Sequence, residues 1–451
     1  MRHAFLLLIT LAALGICGCA TFSRDGGFTP VADSARRRLG QEVIWPRNAE
    51  ERAKVDTQVT GLLQHPLTVG DAVQIALLNN RGLQGSFEEL GVSEADLVQA
   101  GRLPNPRFDL RHASAAGQYD VEETLSFNVL SLLTMPSAQA LARKRFAEVQ
   151  SATVLQIAQL AKDTREAFYS AVAARISLDT MQRIRAAAET SATLAQKMVA
   201  AGNWNRVDQS HEQNFHTEAV DTFIQTQLAE RAAREKLLAL MGMDARGEAP
   251  ALVQALPDLP AQIESLPDVE AAVLQGRLDL QLLRQQLDEL ERRLKLTRST
   301  RFINVLDAGA TRVRQGSRDD PYEHGYTLTL EVPLFDSGAA RVRKSEAVYA
   351  QAVDRFTQAA IEARSQIRLA YAGYSAAFDL ARQQRDEVLP LRKAVAQENL
   401  LRYNASQISI FELLSGVREQ AAGTERYIGR LRDFWIAKSR LDAALLGNSP
   451  L

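Results

Sequence analysis

Apolar residues recur at two different spacings along this chain. Over residues 137–201, which contain neither Gly nor Pro, they fall every three or four positions. Val154, Ile157, Ala161, Thr164 and Phe168 make one such series, and Met181, Ile184, Ala188, Ser191, Ala195 and Met198 another. This is a coiled-coil seam with residues small enough to let a neighbouring helix approach closely. At the helical rise per residue, the stretch would run ~100 Å. A second stretch, 339–404, reads the same way and is interrupted only by Gly373 and Pro390, where a kink is expected. Each long helix is followed by a tight turn and another helix, over 205–241 and 408–446. In the last of these, Gly416, Gly423 and Gly429 read as close-packing sites.

Elsewhere the period is two. Leu328, Leu330, Val332 and Leu334 alternate with Thr327, Thr329, Glu331 and Pro333, and Leu125, Phe127 and Val129 alternate with Thr124, Ser126 and Asn128. Two hairpins are predicted, 105–113 with 122–132 and 302–313 with 326–335. A helical segment precedes each hairpin, over 69–101 and 268–300.

The order of elements is therefore written twice. Ala201-Gly202-Asn203-Trp204-Asn205-Arg206-Val207-Asp208 aligns with Ala405-Ser406-Gln407-Ile408-Ser409-Ile410-Phe411-Glu412. Leu238-Ala239-Leu240-Met241-Gly242 aligns with Ala443-Ala444-Leu445-Leu446-Gly447, and Thr124-Leu125-Ser126-Phe127 with Thr327-Leu328-Thr329-Leu330. All three anchors share an offset of about 204 residues, which is too long for a stacked solenoid and predicts a tandem duplication. The predicted repeats are 67–248 and 266–447.

The chain opens with a short basic start, Met1-Arg2-His3, and an apolar run from Ala4 to Ile16 that suits a signal-peptide core and is too short to span a bilayer. The run ends in Ile16-Cys17-Gly18-Cys19. This is similar to a bacterial lipoprotein signal, with residues 1–18 removed and Cys19 acylated. Gly18 before Cys19 suits cleavage better than Ile16 before Cys17. The alternative is an ordinary signal peptide with incidental cysteines. Residues 19–66 read as a lipidated N-terminal tether with one short helix near 49–63. By the lipoprotein likeness, Ala20 favours the outer membrane.

Composition narrows the function. With 53 Lys+Arg against 54 Asp+Glu, no basic excess points to nucleic acid. Both cysteines lie at the N-terminus, so a disulfide scaffold and a Cys-rich metal site are excluded. The six histidines do not cluster, and no phosphate loop or Ser/His/Asp constellation stands out. No catalysis, cofactor or resident metal is expected.

Alternating strands of about ten residues are the pattern of a transmembrane β-barrel, and equally of a half-buried soluble sheet. Four strands cannot close a barrel, since the smallest have about eight. Sharing across chains would solve this: two chains give a plugged barrel and three leave room for a pore. The duplication and the lipid anchor favour the pore.

Several motifs carry a family resemblance over 67–447. Leu67-Thr68-Val69-Gly70-Asp71-Ala72 through Ala76-Leu77-Leu78-Asn79-Asn80 resembles the opening helix of the TolC-type outer-membrane efflux factors. Gln99-Ala100-Gly101-Arg102-Leu103-Pro104-Asn105-Pro106 resembles that family's entry into the first strand, and Leu330-Glu331-Val332-Pro333-Leu334-Phe335-Asp336-Ser337-Gly338 its exit from the last. The resemblance implies a mainly α fold with a small transmembrane β part. It also implies a homotrimer sharing a twelve-stranded outer-membrane β-barrel and a twelve-helix periplasmic tunnel. Such a channel takes substrates from an inner-membrane efflux pump through a periplasmic adaptor protein. Departures from the family are Ser406, where a glycine is usual, and the third strand's opening Arg301-Phe302, which lacks a proline.

The same resemblance implies sites. Gly202, Trp204 and Ser406 mark the periplasmic tips that would meet the adaptor; for Trp204, packing near the turn is the alternative. Tyr403, three residues before the second turn, and Asp208, six after the first, match a gate pair. Glu412 occupies a pore-ring position. Ile408 stands where the family's gate arginine would be. For Asp208 and Glu412 a solvated helix face is the alternative. Two other functions remain open on sequence: an outer-membrane conduit for type I protein secretion, and a non-pore, lipid-anchored coiled-coil structural protein.

Overall fold

A computed structural model describes residues 21–115, 118–244, 250–263, 276–317 and 319–447. The signal-peptide and Cys19 expectations lie outside these residues. The described elements are α1 (Thr29–Leu39), α2 (Ala49–Leu62), α3 (Val69–Asn79), α4 (Arg81–Ala100), β1 (Arg107–Ala115), β2 (Gln118–Asn128), α5 (Val129–Ala200) and α6 (Arg206–Leu240). They continue with α7 (Leu278–Ser299), β3 (Leu306–Gly316), β4 (Glu323–Leu330), α8 (Ala339–Gln383), a π-helical turn (Gln384–Val388), α9 (Leu389–Asn404) and α10 (Ile410–Leu446). Two compact units result. Among the described residues, one gathers those up to Val31, Ser86–Thr153 and Asp279–Ala360; the other gathers those of Ala32–Gly85, of Val154–Leu278 and from Ile361 on. Helices α5 and α8 contribute to both.

The first unit carries one antiparallel sheet in the order β1-β2-β3-β4, so β1 and β4 are edges. The strand bounds differ from those the alternation predicts. Strand β2 ends at Asn128, because the Asn128 side chain accepts the Ser131 N–H at 2.6 Å and starts helix α5 there. The alternation at 129 and beyond belongs to that helix. Strand β4 ends at Leu330, leaving Val332 and Leu334 in an exposed connection.

In the second unit, the helical core is built round aromatic rings. Tyr169 stacks on Trp435 at 5.8 Å, Tyr374 on Phe434 at 5.3 Å, and Phe378 meets Phe434. The connection between the two halves joins this core: Leu252, Leu256 and Leu259 are buried, and the Trp435 indole donates to the Pro257 carbonyl at 2.9 Å. Arg277 is 1 % exposed and donates to the Ala444 carbonyl at 2.8 Å and to Gln366 Oε1 at 2.9 Å. A cation there complements the negative end of α10.

Several local features correct or refine the sequence reading. The predicted helix 69–101 is broken at Asn80. Its neighbours explain the break: Asn79 donates to the carbonyls of Met241 and Gly242, and Asn80 donates to that of Leu240, so both amides satisfy the end of α6. Between residues 21 and 66 a second helix, α1, is present, and Val31, Ala35 and Val55 are fully buried, so this segment is packed and is not an extended tether. Pro390, which has no N–H to give, is preceded by the π turn, where the Leu389 N–H reaches back five residues to the Gln384 carbonyl. Of the three glycines in α10, Gly416 and Gly423 do admit close neighbours, Asn399 and Arg392, while Gly429 faces open space.

Candidate functional site: paired helix tips and a two-faced sheet

The turn between α5 and α6 and the turn between α9 and α10 are built alike. Gly202 has φ 72° and Ser406 has φ 55°, the left-handed region. Gly202 N–H donates to Val199 O at 3.0 Å and Asn203 N–H to Met198 O at 2.9 Å. In the second turn Ser406 N–H donates to Tyr403 O at 2.9 Å and Gln407 N–H to Arg402 O at 2.8 Å. Both are helix C-caps in which a left-handed residue lets two N–H groups satisfy the last carbonyls. Ser406 is the one non-glycine residue with positive φ among the described residues, a conformation that costs an L-residue roughly 1–2 kcal/mol.

Three residues on, each turn leads into a new helix that starts with the same device. Asn205 caps α6 by accepting the Asp208 N–H at 2.8 Å, and its amide donates to the Asp208 carboxylate at 2.6 Å. Ser409 caps α10 by accepting the Glu412 N–H at 3.2 Å, while Glu412 accepts the Ser409 N–H at 3.0 Å. Asp208 and Glu412 are thus the third residues of their helices, where a carboxylate meets the positive helix end. Tyr403 is 37 % exposed, and the structure forms no hydrogen bond between it and Asp208.

The two tips are joined by contacts whose partners the sequence did not announce, although packing of Trp204 near its turn was the alternative reading. Trp204 stacks on Phe411, with centroids 3.8 Å apart and the rings 7° from parallel. Nearby, Glu212 is 8 % exposed and accepts from Arg418 and from the Ser191 hydroxyl, each at 2.5 Å. The Arg418 guanidinium also lies 3.7 Å over the Phe215 ring. This polar knot ties α5, α6 and α10; removing one partner of such a buried pair costs ~3–5 kcal/mol. Ser191 carried a faint signal, as a hydroxyl in an otherwise apolar seam that needs a partner on the facing helix.

The sheet presents two unlike faces toward its Leu306–Leu330 end; toward the other end the first of them also carries His112, Glu123, Arg312, Arg314 and His324, with Arg312 paired to Glu123. Cross-strand pairing aligns Phe108, Leu125, Ala310 and Tyr326 in one row, Phe127, Ala308 and Leu328 in the next, and Leu306 with Leu330 in a third. Tyr326 and Leu328 are 90 % and 66 % exposed. The other face aligns Arg107, Ser126, Gly309 and Thr327, then Asp109, Thr124, Thr311 and Gly325, then Asn128, Asp307 and Thr329. Thr124 and Thr311 share a hydroxyl hydrogen bond of 2.9 Å across it. Asp109, Asp120, Glu122, Asp307 and Glu323 lie on this polar face against Arg107 and Arg111, so carboxylates predominate there. Among the described residues, no group of three or more His, Cys, Asp or Glu could hold a metal ion, and no helix is long and apolar enough to cross a membrane.

No protein-family model matches the chain. It is 22 % identical over 390 residues to the cobalt-zinc-cadmium resistance protein CzcC of Cupriavidus metallidurans, covering 84 % of this chain and 90 % of that protein. Three solved structures share its fold. CusC aligns with a TM-score of 0.68 and 16 % identity over 84 % of this chain and 91 % of its own. The CmeC outer-membrane channel of Campylobacter jejuni gives 0.70 and 14 % over 84 % and 86 %. The outer-membrane protein VceC of Vibrio cholerae gives 0.67 and 13 % over 89 % and 99 %.

Proposed function

We propose, from the premise that this chain has the fold of the TolC-type outer-membrane channels, that it is the outer-membrane conduit of a tripartite efflux system. The observation that carries the proposal is the isolated four-stranded sheet, with one face exposed and apolar in its rows toward Leu306 and Leu330, a polar opposite face and two open edges. A bilayer does not tolerate unpaired strand edges, so the sheet must be closed by other copies. Three copies give twelve strands, enough for a pore lined by the polar face. Fusion of this barrel to helices supports a periplasmic tunnel, with Gly202, Trp204 and Ser406 at its tips meeting a periplasmic adaptor that links it to an inner-membrane pump.

The cargo we infer is cationic, and metal ions fit best. The similarity to CzcC and the carboxylate excess on the lumen face support this reading. Such ions are cargo, and the protein would act as a channel without catalysis. Asp208, Tyr403 and Glu412 would surround the narrow end, with the helix-capping acids also facing the three-fold axis. Residues 67–248 and 266–447 would be the two repeats of a duplicated unit. Cys19 would carry the lipid anchor; palmitate label that persists in Cys19→Ala would rule that out.

Purified protein reconstituted in a planar bilayer should show discrete, cation-preferring conductance. Absence of conductance from a monodisperse trimer would favour the lipid-anchored structural reading. Conductance without export of metal ions in a strain carrying the cognate pump would favour a different cargo.

A further inference from the structure

Helices α7 and α8 flank the β3–β4 hairpin in sequence, and between them lies a groove of about 380 Å³. Its apolar floor is Leu290, Leu294 and Val348, and its rim is Arg293, Arg341 and Lys344. No carboxylate lines it. Arg341 is held by the Arg301 carbonyl at 3.2 Å and the Asn304 side chain at 2.5 Å. Arg293 and Lys344 are exposed, and no acidic side chain among the described residues pairs with them. The nearest acids in sequence are engaged elsewhere: Glu291 with Lys295 and Glu346 with Arg298, each at 2.6 Å. Arg341 and Lys344 also sit in the first two turns of α8, where the helix dipole is positive.

The groove adjoins a membrane-like surface. Strand β4 ends at Leu330, and the connection from it to α8 exposes Val332, Leu334 and Phe335, the last fully. Phe302, between α7 and β3, is 50 % exposed, with the Arg301 guanidinium 4.1 Å over its ring. Apolar side chains thus lead from the sheet's apolar face to a set of cations, the order found at a membrane–water interface.

We propose that the groove between α7 and α8 binds the phosphate-bearing headgroup of an anionic phospholipid at the edge of the bilayer. Arg293 and Lys344 supply charge to the phosphate, Arg341 orients the rim, and Leu290, Leu294 and Val348 receive the first carbons of an acyl chain. Apolar floor and cationic rim together select an amphiphile over a free anion, because a bare phosphate would leave the floor uncovered. The proposal rests on the membrane placement of the sheet given above.

The test is native mass spectrometry of the detergent-purified trimer, titrated with phosphatidylglycerol or phosphatidylcholine. Wild-type protein should retain phosphatidylglycerol preferentially. The double variant Arg293→Gln, Lys344→Gln should lower that preference on the order of tenfold. A charge-matched control far along the chain, Lys197→Gln with Arg231→Gln, should leave it unchanged. Equal retention of the two lipids by wild type, or an unchanged preference in the double variant, would overturn the proposal. So would displacement of the lipid by inorganic phosphate alone, which would make this a phosphate site. A double variant that no longer forms trimers would show the groove to be a subunit contact. Bilayer conductance separates the two proposals: a conducting channel without lipid preference sinks only the groove, and a non-conducting one sinks the channel.

Discussion

Ser406 holds a backbone conformation that suits glycine, in a turn otherwise identical to that at Gly202. Ser406→Gly should therefore raise stability by ~0.5–1 kcal/mol, and Gly202→Ala should lower it by at least as much. Chemical denaturation of the purified protein reads both; equal midpoints for wild type and Ser406→Gly would mean that the serine is unstrained. The residue scale also holds a titration. Glu148, on α5, has one carboxylate oxygen buried without a partner. Burial, aided by repulsion from Glu289 and opposed by Arg145, pushes its carboxyl up to about 7. The folded state therefore holds a proton that the unfolded chain gives up near 4.5. Stability from this group is full below that value and falls as pH rises toward about 7. Glu148→Gln should flatten this loss. Melting curves at about pH 5 and pH 8 test it, and a parallel pH slope in the variant would refute the assignment.

At the scale of elements, the sheet's two faces make opposite demands. Leu328 and Thr327 are neighbours in β4 but belong to different faces. If the apolar face meets lipid, Leu328→Arg should cost ~2–4 kcal/mol, whereas Thr327→Arg, on the lumen side, should be tolerated and alter conductance. Refolding yield into vesicles measures the first and single-channel recording the second. Similar yields for the two variants would place the membrane elsewhere. Helix ends obey a related logic. The acids at 208 and 412 stand out in sequence as a matched pair, and the structure gives them a local reason, since each completes the start of a helix. That role does not prevent a carboxylate from also facing a pore, because Glu412 bonds Ser409 through only one of its oxygens.

For the whole molecule, three copies of Glu412 on a three-fold axis would form a ring of carboxylates, which favours cations and binds divalent ions through shared oxygens. Glu412→Gln should weaken cation preference and relieve divalent block from the tip side by a few-fold, with stability lowered by only ~0.3–1 kcal/mol through loss of the charge at the helix start, since a glutamine can keep the capping hydrogen bond. Bilayer recordings in mixed salts decide the matter: selectivity and block both unchanged would remove Glu412 from the pore.

Sequence alone determined what depends on neighbours along the chain. The 3–4 spacing found α5 almost entire, the alternation found four strands to within a few residues, and the aligned turns found both tips. The motif beginning at Thr68 was legible because a capping box is local: Thr68 and Asp71 exchange hydrogen bonds within one turn. Tertiary structure decided what depends on partners distant in sequence. Asn79 and Asn80 break a helix that propensity would continue, since the end of α6, some 160 residues on, needs their amides. The segment 21–66 carried turn-forming residues, yet buries Val31 and Val55 against the rest of the fold. In the Glu212–Arg418–Ser191 knot and the Trp204–Phe411 stack the partners were illegible for the same reason, though Ser191 and Trp204 themselves stood out. Periodicity shows which face of a helix is apolar, but only packing brings a charge on one helix to its partner on another.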